Sequence, residues 1–212
     1  MADLEFFFDP VCPWAWITSR WVAEVQLLRN YDVEWRFISL AVINENLVAD
    51  WYTPAYRQGH LDGLSALRVA DQIRLDHGNA MVAAYYTALG TELHNNRVRE
   101  RPEGYIESVI TKLLTDIGLE PALLAAGSDD SHDEYIRAET ALAFERTGKD
   151  VGTPIITFHP GSANEASFFG PVISNSPRGD AALKLWDAVE TIATTSGMSE
   201  LKRSIRGRPD FT

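Results

Sequence analysis

Leu4-Glu5-Phe6-Phe7-Phe8-Asp9-Pro10-Val11-Cys12-Pro13-Trp14-Ala15 is the stretch from which the fold can be read. Leu4 to Phe8 is a short apolar run closed by Asp9-Pro10, which predicts a strand buried on both faces, as in the middle of an α/β sheet. Cys12-Pro13 then predicts a helix start, because proline at the first helical position loses no hydrogen bond. Ile17, Trp21, Val25 and Leu28 follow at helical spacing and predict one apolar face through to about Arg29. Asn30-Tyr31-Asp32 reads as a turn, and Val33 to Ile38 alternates like a second strand. The chain therefore opens strand, helix, strand, with Cys12 at the first strand-to-helix junction.

Outward from that unit, the pattern is helical from about Asn44 to Gly148. Asp62 to His77 predicts a helix closed by Gly78 in a left-handed cap, and Ala80 to Leu93 a second, with Met81, Tyr85 and Leu89 on one face. Pro102 opens a third, striped by Ile106, Val109, Ile110, Leu113 and Ile117 and ended by Gly118. Pro121 to Ala126 is a short helix, and a last one runs from Ser131 as N-cap to Thr147. Strands return at Ile155 to Phe158 and Ala166 to Phe169, joined by a turn at His159-Pro160-Gly161. Ser176-Pro177 sets up a final helix with Ala182, Leu185, Trp186, Val189 and Ile192 inside. The tail after Leu201 is basic and reads as a surface extension. The order is β-α-β, a helical insertion of about a hundred residues, then β-β-α; an insertion so long and so well patterned is not a loop.

The 212 residues suffice for one domain with a sizeable insertion. Hydrophobic residues at 45% support a real core, and no apolar run reaches membrane-span length. Lys+Arg total 19 against Asp+Glu 30, a net charge of -11, and so acidic a surface repels phosphate backbones and anionic headgroups. Neither nucleic acid nor membrane is an expected partner. The start Met-Ala-Asp-Leu-Glu carries no basic n-region, and a cytoplasmic location is expected. Cys12 is the one cysteine, so no internal disulfide forms and no thiolate cluster holds a metal. His60, His77, His132 and His159 show no metal-ligand spacing and read as surface or cap residues.

A lone cysteine is otherwise a small buried hydrophobe, but the setting of Cys12 argues for reactivity. Unpaired N–H groups and the dipole at a helix start stabilise a thiolate, and a thiolate attacks disulfides and electrophiles. Cys12-Pro13-Trp14-Ala15 resembles the Cys-x-x-Cys motif of thioredoxin-fold proteins, with Ala15 where the second Cys stands. Val151-Gly152-Thr153-Pro154 resembles the loop that carries the cis-proline facing that motif. The stretch from Asp9 to Trp21 is similar to the mycothiol-dependent reductases, also called mycothiol-dependent nitroreductases, of the DsbA-like and kappa glutathione-transferase group. Ser39-Leu40-Ala41-Val42-Ile43-Asn44-Glu45-Asn46, Leu93-His94-Asn95, Phe168-Phe169-Gly170-Pro171-Val172 and Pro177-Arg178-Gly179 agree in the same order.

The resemblance implies a thioredoxin fold over 1–44 and 149–212 and an inserted helical domain over 45–148. It implies Cys12, Pro13, Trp14, Ala15 and Pro154 as the catalytic positions. Trp14, Asn44, Tyr56, His94, Thr153 and Pro154 would face a thiol cofactor, mycothiol or alternatively glutathione, with no metal. Ala15 removes the internal resolving thiol, so the expected cycle is monothiol: Cys12 takes up a mixed disulfide that a second small thiol releases. Ala15 is either the residue of a monothiol branch or a replacement that traps the mixed disulfide. The expected partners are a low-molecular-weight thiol and a mixed-disulfide or electrophilic substrate, with reductive activation of nitro-aromatic compounds as a further possibility, in a monomer or homodimer. Two alternatives stand beside this one: a mycothiol- or glutathione-dependent S-transferase or isomerase, and a thiol-binding module without turnover.

Overall fold

β1 (Leu4–Phe8) is buried at all five positions, as its apolar run requires. The computed structural model describes residues 2–96, 102, 104–205 and 207–211. Met1 of the N-terminal stretch, 97–101 and 103 of the predicted insertion, and Arg206 and Thr212 of the basic tail lie outside the described residues. β2 (Val33–Phe37) buries Val33, Trp35 and Phe37 and exposes Glu34; it stops one residue short of the predicted Ile38. β3 (Ile155–Phe158) is buried throughout and β4 (Ala166–Phe169) only partly, the difference between an inner and an edge strand. The sheet order is β2-β1-β3-β4. β3 runs antiparallel to β1, with Leu4 opposite Phe158 and Phe7 opposite Ile155, and β4 runs antiparallel to β3. With its helices this is a thioredoxin fold carrying a helical insertion.

The chain divides into two compact units. One comprises Met1–Phe8, Cys12–Arg36 and Ala143–Thr212; the other comprises Asp9–Val11 and Phe37–Leu142. In the first, α1 (Pro13–Arg29) and α7 (Gly179–Thr194) meet through two tryptophans. The Trp21 and Trp186 rings stand 5.2 Å apart, the Trp21 indole N–H donates to the Ala182 carbonyl at 3.0 Å, and Phe158 of β3 packs edge-on against Trp186 at 5.2 Å. Each such ring contributes about 1.5–3 kcal/mol by leaving water. The buried face of α1 runs through Thr18, Val22 and Val25, which leaves Leu28 on its flank, 47% exposed rather than inside. α7 begins at Gly179, after Arg178 and not at Pro177, where the Gly179 N–H donates to the Glu24 carboxylate at 3.0 Å. The basic tail exposes Leu201 and Ile205 as expected, yet the Asp210 N–H returns to the Ser174 carbonyl at 2.7 Å.

The same unit buries a charge cluster. Glu5, 5% exposed, is paired with Arg36 at 2.6 Å and with Arg146. Arg146 also donates to the Thr157 hydroxyl, which pairs with Ser167. One carboxylate thus joins β1, β2 and the end of α6 (Asp133–Thr147).

The helical unit is built on α3 (Pro54–His77), α4 (Asn79–Gly90) and α5 (Tyr105–Asp116). α3 starts two turns earlier than the expected Asp62. The Thr53 hydroxyl caps it by accepting the Tyr56 N–H at 3.3 Å, and its first turns are exposed, so no apolar period marks them. Gly78 has φ 80° but ψ 176°, not the left-handed helical pair, and links α3 to α4 directly. α4 ends at Gly90 and continues as a π-helical turn, Thr91–Asn95, where a single helix to Leu93 was expected. α5 starts at Tyr105; the Pro102 carbonyl only receives the Tyr105 N–H of the preceding turn. Pro121–Ser128 is 3₁₀ helix. Asp129, not Ser131, supplies the next cap, accepting the Ser131 N–H ahead of a 3₁₀ turn, Asp130–His132, and α6. Buried Asp71 accepts from Arg74 and sits 2.8 Å from His132 Nδ1, while Arg68 grips Asp133 with two nitrogens.

Glu5→Gln leaves two guanidinium groups short of their counter-charge. Urea denaturation should show about 3 kcal/mol lost, whereas Glu34→Gln on the exposed face of β2 should leave the midpoint unchanged.

Candidate active site

Cys12 is the N-cap of α1. Its backbone is extended (φ -77°, ψ 113°), and its Sγ accepts the Ala15 N–H at 3.5 Å. The thiol also donates to the Thr153 carbonyl at 3.6 Å, and the residue is 6% exposed. An amide donor favours a negative sulfur and a carbonyl acceptor a neutral thiol, so the sulfur has a partner in either state. Pro13 occupies the first helical position, Trp14 is half-buried, and Ala15 is wholly buried one turn along.

Facing Cys12, the Thr153–Pro154 peptide is cis and both residues are buried. The Thr153 hydroxyl donates to the Phe7 carbonyl at 3.3 Å, and the Pro154 carbonyl accepts the Gly170 N–H at 2.8 Å. Gly170–Pro171 is also cis, and the Pro171 carbonyl accepts the Thr18 hydroxyl of α1 at 2.8 Å. Residues far apart in sequence thereby hold the loop against the helix that bears Cys12.

The other candidates lie in the helical unit. Asn44 ends α2 (Leu40–Ile43), half-buried, its amide nitrogen donating to the Leu40 carbonyl at 2.8 Å. Tyr56 is 53% exposed, in an aromatic group with Trp51, Tyr52 and His60. Within that group the Tyr52 hydroxyl lies 3.0 Å from His60 Nδ1. Burial pushes the phenol up and the imidazole down, so the phenol donates to a neutral ring. His60 and His132, expected at the surface, are both buried because each has a polar partner, Tyr52 and Asp71. His77 is exposed, and His159 faces Glu190 at 2.9 Å. His94, in the π-helical turn, is 7% exposed, with Nε2 2.9 Å from the Pro10 carbonyl. A carbonyl only accepts, so Nε2 carries the proton.

Sequence reading passed over Asp9, taking Asp9-Pro10 as a strand end. Its side chain is fully buried, with Oδ1 accepting the Val11 N–H at 3.0 Å and Oδ2 the Leu40 N–H at 2.7 Å. Burial outweighs these two bonds and raises the carboxyl to about 7. The bond to Val11 is local and readable from Asp-Pro-x; Leu40 is not.

Among the described residues, no group of three or more His, Cys, Asp or Glu could hold a metal, and no helix is long and apolar enough to cross a membrane. Residues 11–203 match the family model described as Rv2466c-like, the mycothiol-dependent nitroreductase Rv2466c. The chain belongs to the Rv2466c-like family. A relative within reach of direct alignment is Rv2286c of Mycobacterium tuberculosis, described as uncharacterized, 34% identical over 205 residues, covering 96% of this chain and 82% of that protein.

Solved structures resemble this Rv2466c-like chain at the level of fold. The cytosolic disulfide reductase DsbM from Pseudomonas aeruginosa with GSH has a TM-score of 0.55 at 16% identity, over 88% of this chain and 98% of that one. A 2-hydroxychromene-2-carboxylate isomerase has 0.57 at 14%, over 88% and 93%. A putative protein disulfide isomerase from Nitrosomonas europaea has 0.55 at 14%, over 87% and 95%.

The Asp9 carboxyl titrates in the folded chain near 7, above its ordinary 3.8, so between these values the native state holds a proton that the unfolded chain has lost. Its contribution to stability is therefore fully present below about pH 4, falls as pH rises to about 7 and is flat above. Asp9→Asn should remove that slope in urea midpoints measured from about pH 4 to about pH 8; parallel wild-type and variant curves would contradict it.

Proposed function

We propose that this protein is a mycothiol-dependent thiol-disulfide oxidoreductase of the cytoplasm, working through Cys12 alone. The observation that carries the reading is the Cys12 sulfur at the start of α1, bonded by the Ala15 amide and the Thr153 carbonyl, in a chain whose family model is mycothiol-dependent. A helix start stabilises a sulfur anion both as nucleophile and as leaving group. Cys12 attacks one sulfur of a mixed disulfide, forms an S–S bond to the small thiol and expels the target as its thiolate. Cys12 is then released as thiolate when a second equivalent of the small thiol opens that bond. In net, one free small thiol is consumed: it leaves joined to the small thiol of the mixed disulfide as a symmetrical disulfide, and the target leaves as its thiol.

Trp14, Thr153 and Pro154 line the sulfur's side of the site in this reading, with Pro13 fixing the helix start. Glutathione offers the same sulfur as mycothiol with different groups, so the pair is separated by rate. Ala15 stands where an internal thiol would compete, which makes mixed-disulfide reduction the main activity and nitro-aromatic reduction secondary. Monomer and homodimer serve this chemistry equally.

Intact mass after mixing with oxidised mycothiol, and separately with oxidised glutathione, near pH 7 tests the proposal. One fast adduct from mycothiol, absent in Cys12→Ser, is expected, and Ala15→Cys should release that adduct from within. Equal slow labelling by both disulfides would overturn the oxidoreductase reading. Thiol-dependent turnover of an electrophile surviving in Cys12→Ser would replace it with an S-transferase or isomerase.

A further inference from the structure

Within the unit that carries Cys12, Thr18 is wholly buried on α1, further along the helix that the sulfur caps. A threonine inside a helix can turn its hydroxyl back on the carbonyl one turn before it, as Thr147 and Thr191 do at 2.8 and 2.7 Å. Thr18 instead donates out of its helix, at 2.8 Å, to the carbonyl of Pro171, 153 residues on. From there a closed ring of bonds leads back to α1. The Gly170 N–H, next to Pro171, donates to the Pro154 carbonyl at 2.8 Å. Pro154 follows Thr153, whose carbonyl accepts the Cys12 thiol at 3.6 Å. Cys12 accepts the Ala15 N–H, which closes the ring on the helix where it began. The Thr153 hydroxyl, on the Phe7 carbonyl at 3.3 Å, anchors the same loop to β1. Every member lies in the unit formed by Met1–Phe8, Cys12–Arg36 and Ala143–Thr212.

We propose that Thr18 is a positioning residue for Cys12: by holding the Pro171 carbonyl it holds the Thr153 carbonyl at the sulfur. This rests on Cys12 as the nucleophile and goes beyond that reading by naming what governs the resting state of the thiol. Peptide units are planar and proline locks φ, so ψ of Pro154 alone turns the Thr153 carbonyl relative to the Pro154 carbonyl, and fixing the second directs the first. A carbonyl accepts from a neutral thiol and repels a thiolate. Held in place, it keeps the proton on the resting sulfur, against the pull of the Ala15 amide and the helix start. Thr18 thus sets the balance between a waiting thiol and the anion that attacks. A hydroxyl needed only to satisfy the Pro171 carbonyl would contribute stability and leave that balance alone.

Cys12 is the one cysteine, so alkylation by iodoacetamide, followed by intact mass as a function of pH, reads this sulfur alone. The measurement needs no small-thiol partner, so it reports positioning even if the mixed-disulfide adducts fail to form, and those adducts report function separately. Thr18→Val keeps the shape and removes the donor. The loop is then free to withdraw the Thr153 carbonyl, and the midpoint of the profile should fall by about half a pH unit, about threefold faster alkylation on the acid side. Thr18→Ser, which restores the donor, should return the wild-type midpoint. Ser19→Ala removes a neighbouring hydroxyl whose bonds stay within α1, to the Trp16 carbonyl and from Arg20; it should lower the melting temperature and leave the midpoint in place. Should Thr18→Val not fold, Thr18→Ala cuts the same bond with a better helix former and decides alone. An unchanged or raised midpoint in Thr18 variants whose melting temperatures fall would reduce Thr18 to a structural tie and overturn the proposal. An equal shift in Ser19→Ala, or no return in Thr18→Ser, would overturn it as well.

Discussion

The chain must leave a strand that is buried on every side and begin a helix within four residues, Asp9 to Cys12, without stranding a polar group. Several donors and acceptors along that passage find partners. Asp9 takes two amides, the Pro10 carbonyl receives His94, and the Cys12 sulfur caps the helix through the Ala15 amide. An unmade hydrogen bond costs more in a buried junction than anywhere else in the chain, which is why partners come from α2 and from the π-helical turn. The Cys12 sulfur is one of these satisfied groups, bonded through the same geometry that caps the helix.

The same rule governs the rest of the interior. Glu5 is inside because two arginines and a hydroxyl network surround it, and Asp71 because Arg74 and His132 do. Both clusters use arginine, whose fork meets carboxylates at fixed geometry, so they specify which elements meet as well as how firmly. By contrast, the acidic groups that make the net charge -11 are mostly at the surface, where solvent screens them.

Legibility from sequence followed burial period. β1, β3, β4 and α1 up to Val25 fell where apolar spacing put them, because their inner residues are contiguous in pattern, whereas on α7 Ala182 and Trp186 are buried and Leu185, Val189 and Ile192 only half-buried. α3 was cut short because its first two turns face water and carry no period, although Thr53-Pro54 is a usable cap signal. His60 and His132 were misplaced because a histidine's burial depends on a distant partner, here Tyr52 and Asp71. Leu28 was misplaced because the helix ends beyond its cover. At the candidate site, Cys12 with Pro13 was legible from local chemistry. Thr153 and Pro154 came through resemblance, and Asp9 was missed because its second amide partner lies 31 residues on.

By itself the sequence determined the strand-helix-strand opening, the helical insertion, the single thiol at a helix start and the alanine at position 15. These rest on interactions within a few residues, or on residue identity alone. Only the tertiary structure decided that Thr153 receives the thiol, that His94 holds the Pro10 carbonyl and that Asp9 is buried with Leu40 and Gly63 against it. Those contacts join positions tens of residues apart, and nothing local distinguishes a residue that will be buried with a partner from one left in water.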